Sequence, residues 1–268
     1  MICFPNAKIN IGLNIVGKRP DGYHNIETVF YPIPVRDALE IVGADTFSFI
    51  QTGIPVDAPA EKNLVIKALD LLKRHYDIPP LEVHLLKSIP FGAGLGGGSA
   101  DAAFMLKLLN DYCRLGIAQD ELERLASALG ADCPFFIRNV PVFASGTGNI
   151  FEPVELSLRG YHLCVVKPDI AVSTPEAYSM VTPQLPDISL REIIRRPVSE
   201  WARLISNDFE RSVFLKYPRI GEIKDSLYQQ GASYASMSGS GSSVFGLFEK
   251  ETELKEQFAD CFVWEGML

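Results

Sequence analysis

The stretch Pro90–Ala103, P-F-G-A-G-L-G-G-G-S-A-D-A-A, narrows the choice of folds more than any other part of the chain. Five glycines lie between Gly92 and Gly98, behind a strand pattern at Leu81–Lys87 and ahead of a helical pattern at Ala100–Asn110. Glycine tolerates positive φ and lets other groups approach the backbone closely. A helix opening directly behind such a run presents free N–H groups and the positive end of its dipole. The combination is a cradle for a polyphosphate. A flexible linker would not run straight into A-D-A-A-F-M-L-K-L-L.

Other phosphate motifs fit less well. Gly92, Gly94 and Gly97 satisfy G-x-G-x-x-G, but a dinucleotide fingerprint also needs a βαβ unit and an acidic residue about 20 positions on. Here a second helix, Asp120–Leu129, follows the first with no convincing parallel strand between them. Gly98 stands where the Walker pattern requires Lys. The chain has neither H-R-D-L-x-x-x-N nor D-F-G, which excludes a protein kinase.

The 268 residues include 25 Lys plus Arg and 33 Asp plus Glu, for a net charge of −8, and 47% are hydrophobic. Disorder is excluded for most of the chain. A nucleic-acid partner is disfavoured, since net negative charge repels a phosphate backbone. A local phosphate site is still allowed, because backbone N–H groups bind anions whatever the net charge. No apolar run reaches the roughly 18 residues of a membrane span, and M-I-C-F-P-N-A-K-I-N does not read as a signal peptide. Cys3, Cys113, Cys133, Cys164 and Cys261 form no C-x-x-C pair, as expected for a reduced, cytoplasmic protein. The four histidines are scattered and give no support for a zinc site.

Lys8–Val16 alternates apolar and polar residues, which predicts a half-buried strand with Lys8 and Asn10 on its polar face. G-K-R-P-D-G-Y at Gly17–Tyr23 is a turn. Further strands are expected at Ile26–Ile33, Ala38–Val42, Phe47–Gln51, Tyr161–Val166 and Ser242–Phe248, with a break at Pro55–Ala60. Helices are expected at Asn63–Tyr76, at Asp120–Leu129 with Asp120 as N-cap, and at Trp201–Phe209, Arg219–Gln230 and Glu251–Phe258. Strands and helices mix without strict alternation, so the fold class is α+β. The turn-rich stretch before Val154–Gly160 marks the expected domain change, dividing the chain into 1–156 and 157–268.

Two smaller segments stand out. Asp132 lies beyond a helix in G-A-D-C-P, where an aspartate alone reads as an ordinary turn residue. Lys8 alone is equally unremarked. Ser238–Ser243, S-G-S-G-S-S, is a run of small residues that lets a ligand or another chain segment come close.

Taken in order, N-A-K-I-N at Asn6–Asn10, the glycine loop at Pro90–Ser99 and S-G-S-G-S-S at Ser238–Ser243 resemble the three motifs of the GHMP kinases. Arg19–His24 (R-P-D-G-Y-H), Gly130–Phe136 (G-A-D-C-P-F-F) and Lys167–Tyr178 (K-P-D-I-A-V-S-T-P-E-A-Y) are similar to the branch acting on a CDP-linked methylerythritol. The likeness spans Met1 to Phe248, and the last twenty residues carry no motif. It implies a two-domain α+β GHMP kinase fold with the active site in the inter-domain cleft. It also implies ATP as co-substrate, Mg2+, and a monomer or homodimer with neither nucleic-acid nor membrane partners. The implied reaction moves the ATP γ-phosphoryl group to the 2-hydroxyl of 4-diphosphocytidyl-2-C-methyl-D-erythritol, in the non-mevalonate route to isoprenoids.

Lys8 and Asp132 match the family's catalytic pair. Asp132 would orient the attacking hydroxyl and take its proton; Lys8 would keep Asp132 ionised and offset charge on the transferring group. The implied ATP contacts are Asn63, Lys87, Pro90, Phe91, Gly92, Ala93, Gly94, Leu95, Gly96, Gly97, Gly98, Ser99 and Ala100. The implied substrate contacts are Asn10, Tyr23, His24, Thr174, Tyr178, Ser240 and Gly241. Tyr23 and Tyr178 are expected to close on opposite faces of the cytosine, one from each domain, with hydrogen bonds near His24 reading the base edge. Tyr178 stands where Phe is often found, and Ala93 replaces a frequent glycine, which is tolerable at negative φ. No carboxylate stands out as a magnesium ligand, leaving Ser99 as the one candidate. The rival readings are a GHMP kinase for a mevalonate- or homoserine-like alcohol, against which D-G-Y-H and Tyr178 argue, and a nucleotide sensor that would lack Lys8 or Asp132.

Overall fold

Leu39 and Ile41 stand opposite Leu85 and Val83 on the neighbouring strand, and this pairing of alternate apolar residues gives one sheet its buried face. Each such side chain, taken fully out of water, contributes about 1.5–3 kcal/mol. The computed structural model describes residues 1–55, 59 and 62–268. Most of the Pro55–Ala60 break expected from the sequence lies outside these described residues.

The chain forms two compact units: Met1–Ala7 with Val35–Phe91 and Gly96–Val140, and Lys8–Pro34 with Gly92–Leu95 and Pro141–Leu268. The boundary read at 156/157 is a single cut, whereas these units interleave along the sequence. Residues 8–34 join the later part because the strand His24–Arg36 pairs antiparallel with Val142–Ser145.

In the first unit a sheet runs in the order Ile2–Cys3, Ala38–Gly43, Leu81–Lys87, Ser48–Gly53. Helices Leu64–Lys73 and Gly97–Tyr112 pack on each other. Asn63 caps the first of them by accepting from the Val65 N–H at 2.9 Å. The second begins inside the glycine run, behind Gly96 at φ 72°. The helix Gln119–Ser127 has Ala118 as its N-cap, not the expected Asp120. Asp120 lies in its first turn, where a carboxylate faces the positive dipole end. A short helix, Phe135–Arg138, escaped the sequence reading because one turn shows no periodicity.

The second unit contains a sheet of order Tyr234–Met237, Val244–Phe248, His162–Pro168, Cys261–Met267, and most of another, Asn6–Lys18, His24–Arg36, Val142–Ser145, Ile150–Pro153. Three expectations are corrected here. The strand bearing Lys8 is not half-buried: Asn6–Leu13 is buried on both faces, because its polar face meets other polar groups instead of water. The expected helix Trp201–Phe209 is two helices, Val198–Leu204 and Glu210–Lys216. Between them the backbone pairs with a strand: the Leu13 N–H donates to Ser206 O, the Asp208 N–H to Leu13 O, and the Ile15 N–H to the Asp208 carboxylate. The expected helix Glu251–Phe258 is a set of turns. Leu254 and Phe258 are buried as its pattern required, but the Leu254 N–H is held by the Glu265 carboxylate at 3.0 Å. Glu265 belongs to Cys261–Met267, an unforeseen strand antiparallel to His162–Pro168.

Candidate active site

Lys8 lies in a strand buried on both faces, and its side chain is 3% exposed. A buried ammonium must find acceptors. Lys8 Nζ donates to Asn10 Oδ1 at 2.5 Å and to Gly94 O at 3.2 Å, and sits 4.7 Å from the centre of the Phe30 ring. The period of two put Lys8 and Asn10 on one face, and they are bonded to each other.

Ser238 closes a ring with these groups. Its hydroxyl donates to Gly94 O at 2.9 Å and accepts from the Asn10 N–H at 3.2 Å. The Ser243 N–H donates to Ala93 O at 3.2 Å. What approaches the serine–glycine run is therefore another chain segment, residues 93–94. A Cβ on Gly94 would lie 1.9 Å from Ser238 O, so only glycine fits there. Ala93 is not among the residues at positive φ, as the sequence required of it. Asn207 supports the same run from behind, donating from Nδ2 to Met237 O and Gly239 O, each at 2.8 Å. Ser240 is partly exposed and Gly241 buried in this loop.

In the first unit Lys87 is buried between two carboxylates. Its Nζ donates to Asp101 Oδ2 at 2.7 Å and to Asp37 Oδ2. Burial pulls the ammonium down, but Asp101 and Asp37 outweigh it and the net shift is upward. Burial pushes the Asp101 carboxyl up to about 7, against the pull of Lys87. Asp37 Oδ1 also accepts from the Ser88 and Ile89 N–H groups at 2.6 and 2.8 Å, tying down the chain that leads into the glycine loop. Lys87, Asp101, Asn63, Phe91 and Gly98 line one cavity of about 480 Å³ together with Phe49, Gln51 and Leu64. Asp101 Oδ1 has no hydrogen-bond partner among the described residues. A cavity with an apolar wall, an amide and a buried carboxylate suits a nucleoside. The positive-φ glycines of the loop are Gly92, Gly94 and Gly96. Gly97 is required for a different reason: a Cβ there would meet Ile89 Cγ2 at 2.8 Å.

Asp132 lies in the turn between helices Gln119–Ser127 and Phe135–Arg138 and is partly exposed. Its neighbours Cys133, Phe135 and Phe136 are buried and anchor the turn. Ser99, the one magnesium candidate, lies near Cys133, whose thiol is pushed up to about 11 by burial. No group of three or more His, Cys, Asp or Glu among the described residues could hold a metal ion. These residues therefore make no magnesium cage of their own.

His24 and Phe209 pack their rings around Tyr178. The ring stacked on Tyr178 is that of His24, at 4.7 Å between centroids and 21° between planes. Tyr23 is 66% exposed. Its N–H is held in the turn by Asp21 Oδ1 at 3.1 Å. Tyr23, His24 and Tyr178 all belong to one compact unit. Phe209 meets Tyr178 edge-on at 4.7 Å. Exposed Thr174 opens the helix Thr174–Tyr178, which is capped by Ser173 and held by Glu176 to Lys216.

Asp37, Asp101, Thr28 and Ser238 were not read as site residues. Asp101 was findable, since it stands four residues past Gly97 on the helix behind the loop. Asp37 reaches Lys87 across 50 residues of sequence, a distance no local pattern spans.

The chain matches the family models for the GHMP kinases N terminal domain over residues 63–146 and GHMP kinases C terminal over 189–262. It is 75% identical over 270 residues to a 4-diphosphocytidyl-2-C-methyl-D-erythritol kinase of Parabacteroides distasonis, covering 100% of both chains. It is 52% identical over 277 residues to a kinase of the same name from Porphyromonas gingivalis, again covering 100% of both. A crystal structure of 4-(cytidine 5'-diphospho)-2C-methyl-D-erythritol kinase matches with a TM-score of 0.85 at 31% identity, covering 99% of this chain and 98% of that one. A mevalonate kinase matches at 0.73 with 14% identity, covering 99% and 98%, a likeness of fold alone. With a full-length relative at this identity and both family domains present, the chain belongs to the GHMP kinases, in the branch of the 4-diphosphocytidyl-2-C-methyl-D-erythritol kinases.

Proposed function

We propose that this chain transfers the γ-phosphoryl group of ATP to the 2-hydroxyl of 4-diphosphocytidyl-2-C-methyl-D-erythritol. The observation that carries this is the 75% identity, without truncation, to a kinase named for that substrate. The buried Lys8, the loop with three positive-φ glycines and the cavity beside Lys87 support it chemically.

In this reading the adenosine enters the cavity lined by Asn63, Lys87 and Asp101, and the N–H groups behind the glycine run hold the phosphates. Magnesium bound with ATP would supply positive charge to the phosphates, with Ser99 the one side chain read as a candidate to help hold it. Asp132 accepts the proton of the 2-hydroxyl as its oxygen bonds to the γ-phosphorus. The bond from that phosphorus to the β,γ-bridging oxygen breaks and ADP leaves. Lys8 offsets the negative charge on the transferring group. Tyr178 and His24 take the cytosine, the first by stacking and the second through the base edge. The five free cysteines fit a reducing cytoplasm, and the family likeness implies a monomer or homodimer.

The test is ADP release, coupled to a visible readout, with ATP and a panel of alcohols. Turnover with the CDP-linked substrate and none with mevalonate or homoserine is expected. Preference for either of those two would move the chain to another kinase of the family. Nucleotide binding without turnover on any alcohol would make it a sensor.

A further inference from the structure

Thr28 is fully buried on the strand His24–Arg36, opposite Ala144. Its hydroxyl hydrogen goes to Gly12 O at 2.5 Å. A hydroxyl has one hydrogen to give. Toward its other neighbour Thr28 can therefore offer only a lone pair, and Asn10 Nδ2 donates to it at 3.0 Å. That fixes which way the Asn10 amide faces. With its NH₂ spent on Thr28, the amide turns its oxygen to Lys8 Nζ, 2.5 Å away. An ammonium has donors only. If the Asn10 amide were flipped, its NH₂ would confront the ammonium and its oxygen would confront a lone pair of Thr28. The bonds thus run in one direction, from Lys8 through Asn10 and Thr28 to the Gly12 carbonyl. Lys8, Asn10 and Thr28 are each 3% exposed or less, so water has little room to substitute for a missing member.

We propose that Thr28 is a positioning residue for phosphoryl transfer, fixing the Asn10 amide so that Lys8 is held at a single place. This rests on the reading of Lys8 as the lysine that serves the transferring group. Thr28 touches neither substrate and acts only through Asn10. Its loss would leave nucleotide binding largely intact and lower the rate of the chemical step.

The test compares Thr28→Val, which keeps the shape and loses the hydroxyl, with Thr28→Ser, which restores it, and with Lys8→Met. Thr28→Val is expected to lower kcat by about 10- to 100-fold, the range of one charge-assisted hydrogen bond, while KM for ATP stays within about twofold. The serine variant is expected to recover most of kcat. In ¹H–¹⁵N spectra the Asn10 side-chain amide pair should shift in the valine variant and return in the serine variant. If the valine variant does not fold, Thr28→Cys takes its place, since a thiol is only a weak acceptor. A near-normal kcat in the hydroxyl-free variant beside an inactive Lys8→Met overturns this inference alone. So does an unmoved Asn10 amide signal. Undiminished turnover in Lys8→Met overturns the inference together with the reading of the lysine.

Discussion

His24 lies flat against Tyr178, their ring centroids 4.7 Å apart and their planes 21° from parallel. The imidazole covers one face of Tyr178, and a base stacking on that face would have to displace it. Stacking on an aromatic is worth about 1–3 kcal/mol per base. Tyr178→Ala should therefore weaken the CDP-linked substrate by about tenfold or more and leave ATP affinity nearly unchanged. Calorimetric titration of each ligand separates the two effects. Equal competition by CDP and by a bare methylerythritol phosphate would show that no cytidine pocket exists.

Gly92 and Gly94 give a graded test of the loop. Both have positive φ, but a Cβ on Gly92 meets nothing within 4 Å, whereas one on Gly94 would lie 1.9 Å from Ser238 O. Gly92→Ala should carry only the cost of the left-handed conformation, about 1–2 kcal/mol. Gly94→Ala should also push the loop off Ser238 and break the Lys8–Gly94 bond. The expected order in kcat/KM for ATP is wild type, Gly92→Ala, then Gly94→Ala, with the last at least tenfold below the second. Equal effects would mean that contact with Ser238 is unimportant to the loop.

Asp101 carries a pH signature. Burial raises its folded-state pKa from 3.8 to about 7, so between those values the folded protein holds a proton that the unfolded chain has released. Stability then falls as pH rises from about 4 to about 7 and levels off above. Asp101→Asn removes the titrating group and should flatten that limb in urea unfolding measured across the range. Parallel curves for the two proteins would show that Asp101 ionises normally in the fold.

Some elements were legible because the signal is local. The alternation from Lys8 to Val16 marked a strand, and the glycines before Ala100 marked a positive-φ loop that opens into a helix. Burial was not legible in the same way. The polar face of the Lys8 strand reads as solvated until Thr28, Gly94 and Ser238 are seen to cover it, and they come from three distant segments. The helical spacing of Leu254 and Phe258 was real, but Glu265 captured the Leu254 N–H and the backbone formed turns. Asn207 broke an expected helix in a comparable way, with its side chain committed to Met237 O and Gly239 O. His24, in the strand just past the turn, is the ring stacked on Tyr178, a contact across more than 150 residues that sequence spacing does not resolve.

Transfer to one hydroxyl with Asp132 as the base is decided by the product formed. Wild type and Asp132→Asn are each incubated with ATP and 4-diphosphocytidyl-2-C-methyl-D-erythritol and followed by ³¹P NMR. A new phosphomonoester signal, coupled to the carbon at position 2, is expected to grow with ADP. In the asparagine variant it should form about 10²–10⁴-fold more slowly, with ATP still bound. A phosphomonoester at another hydroxyl, ATP hydrolysis without one, or an unslowed asparagine variant would contradict this reading.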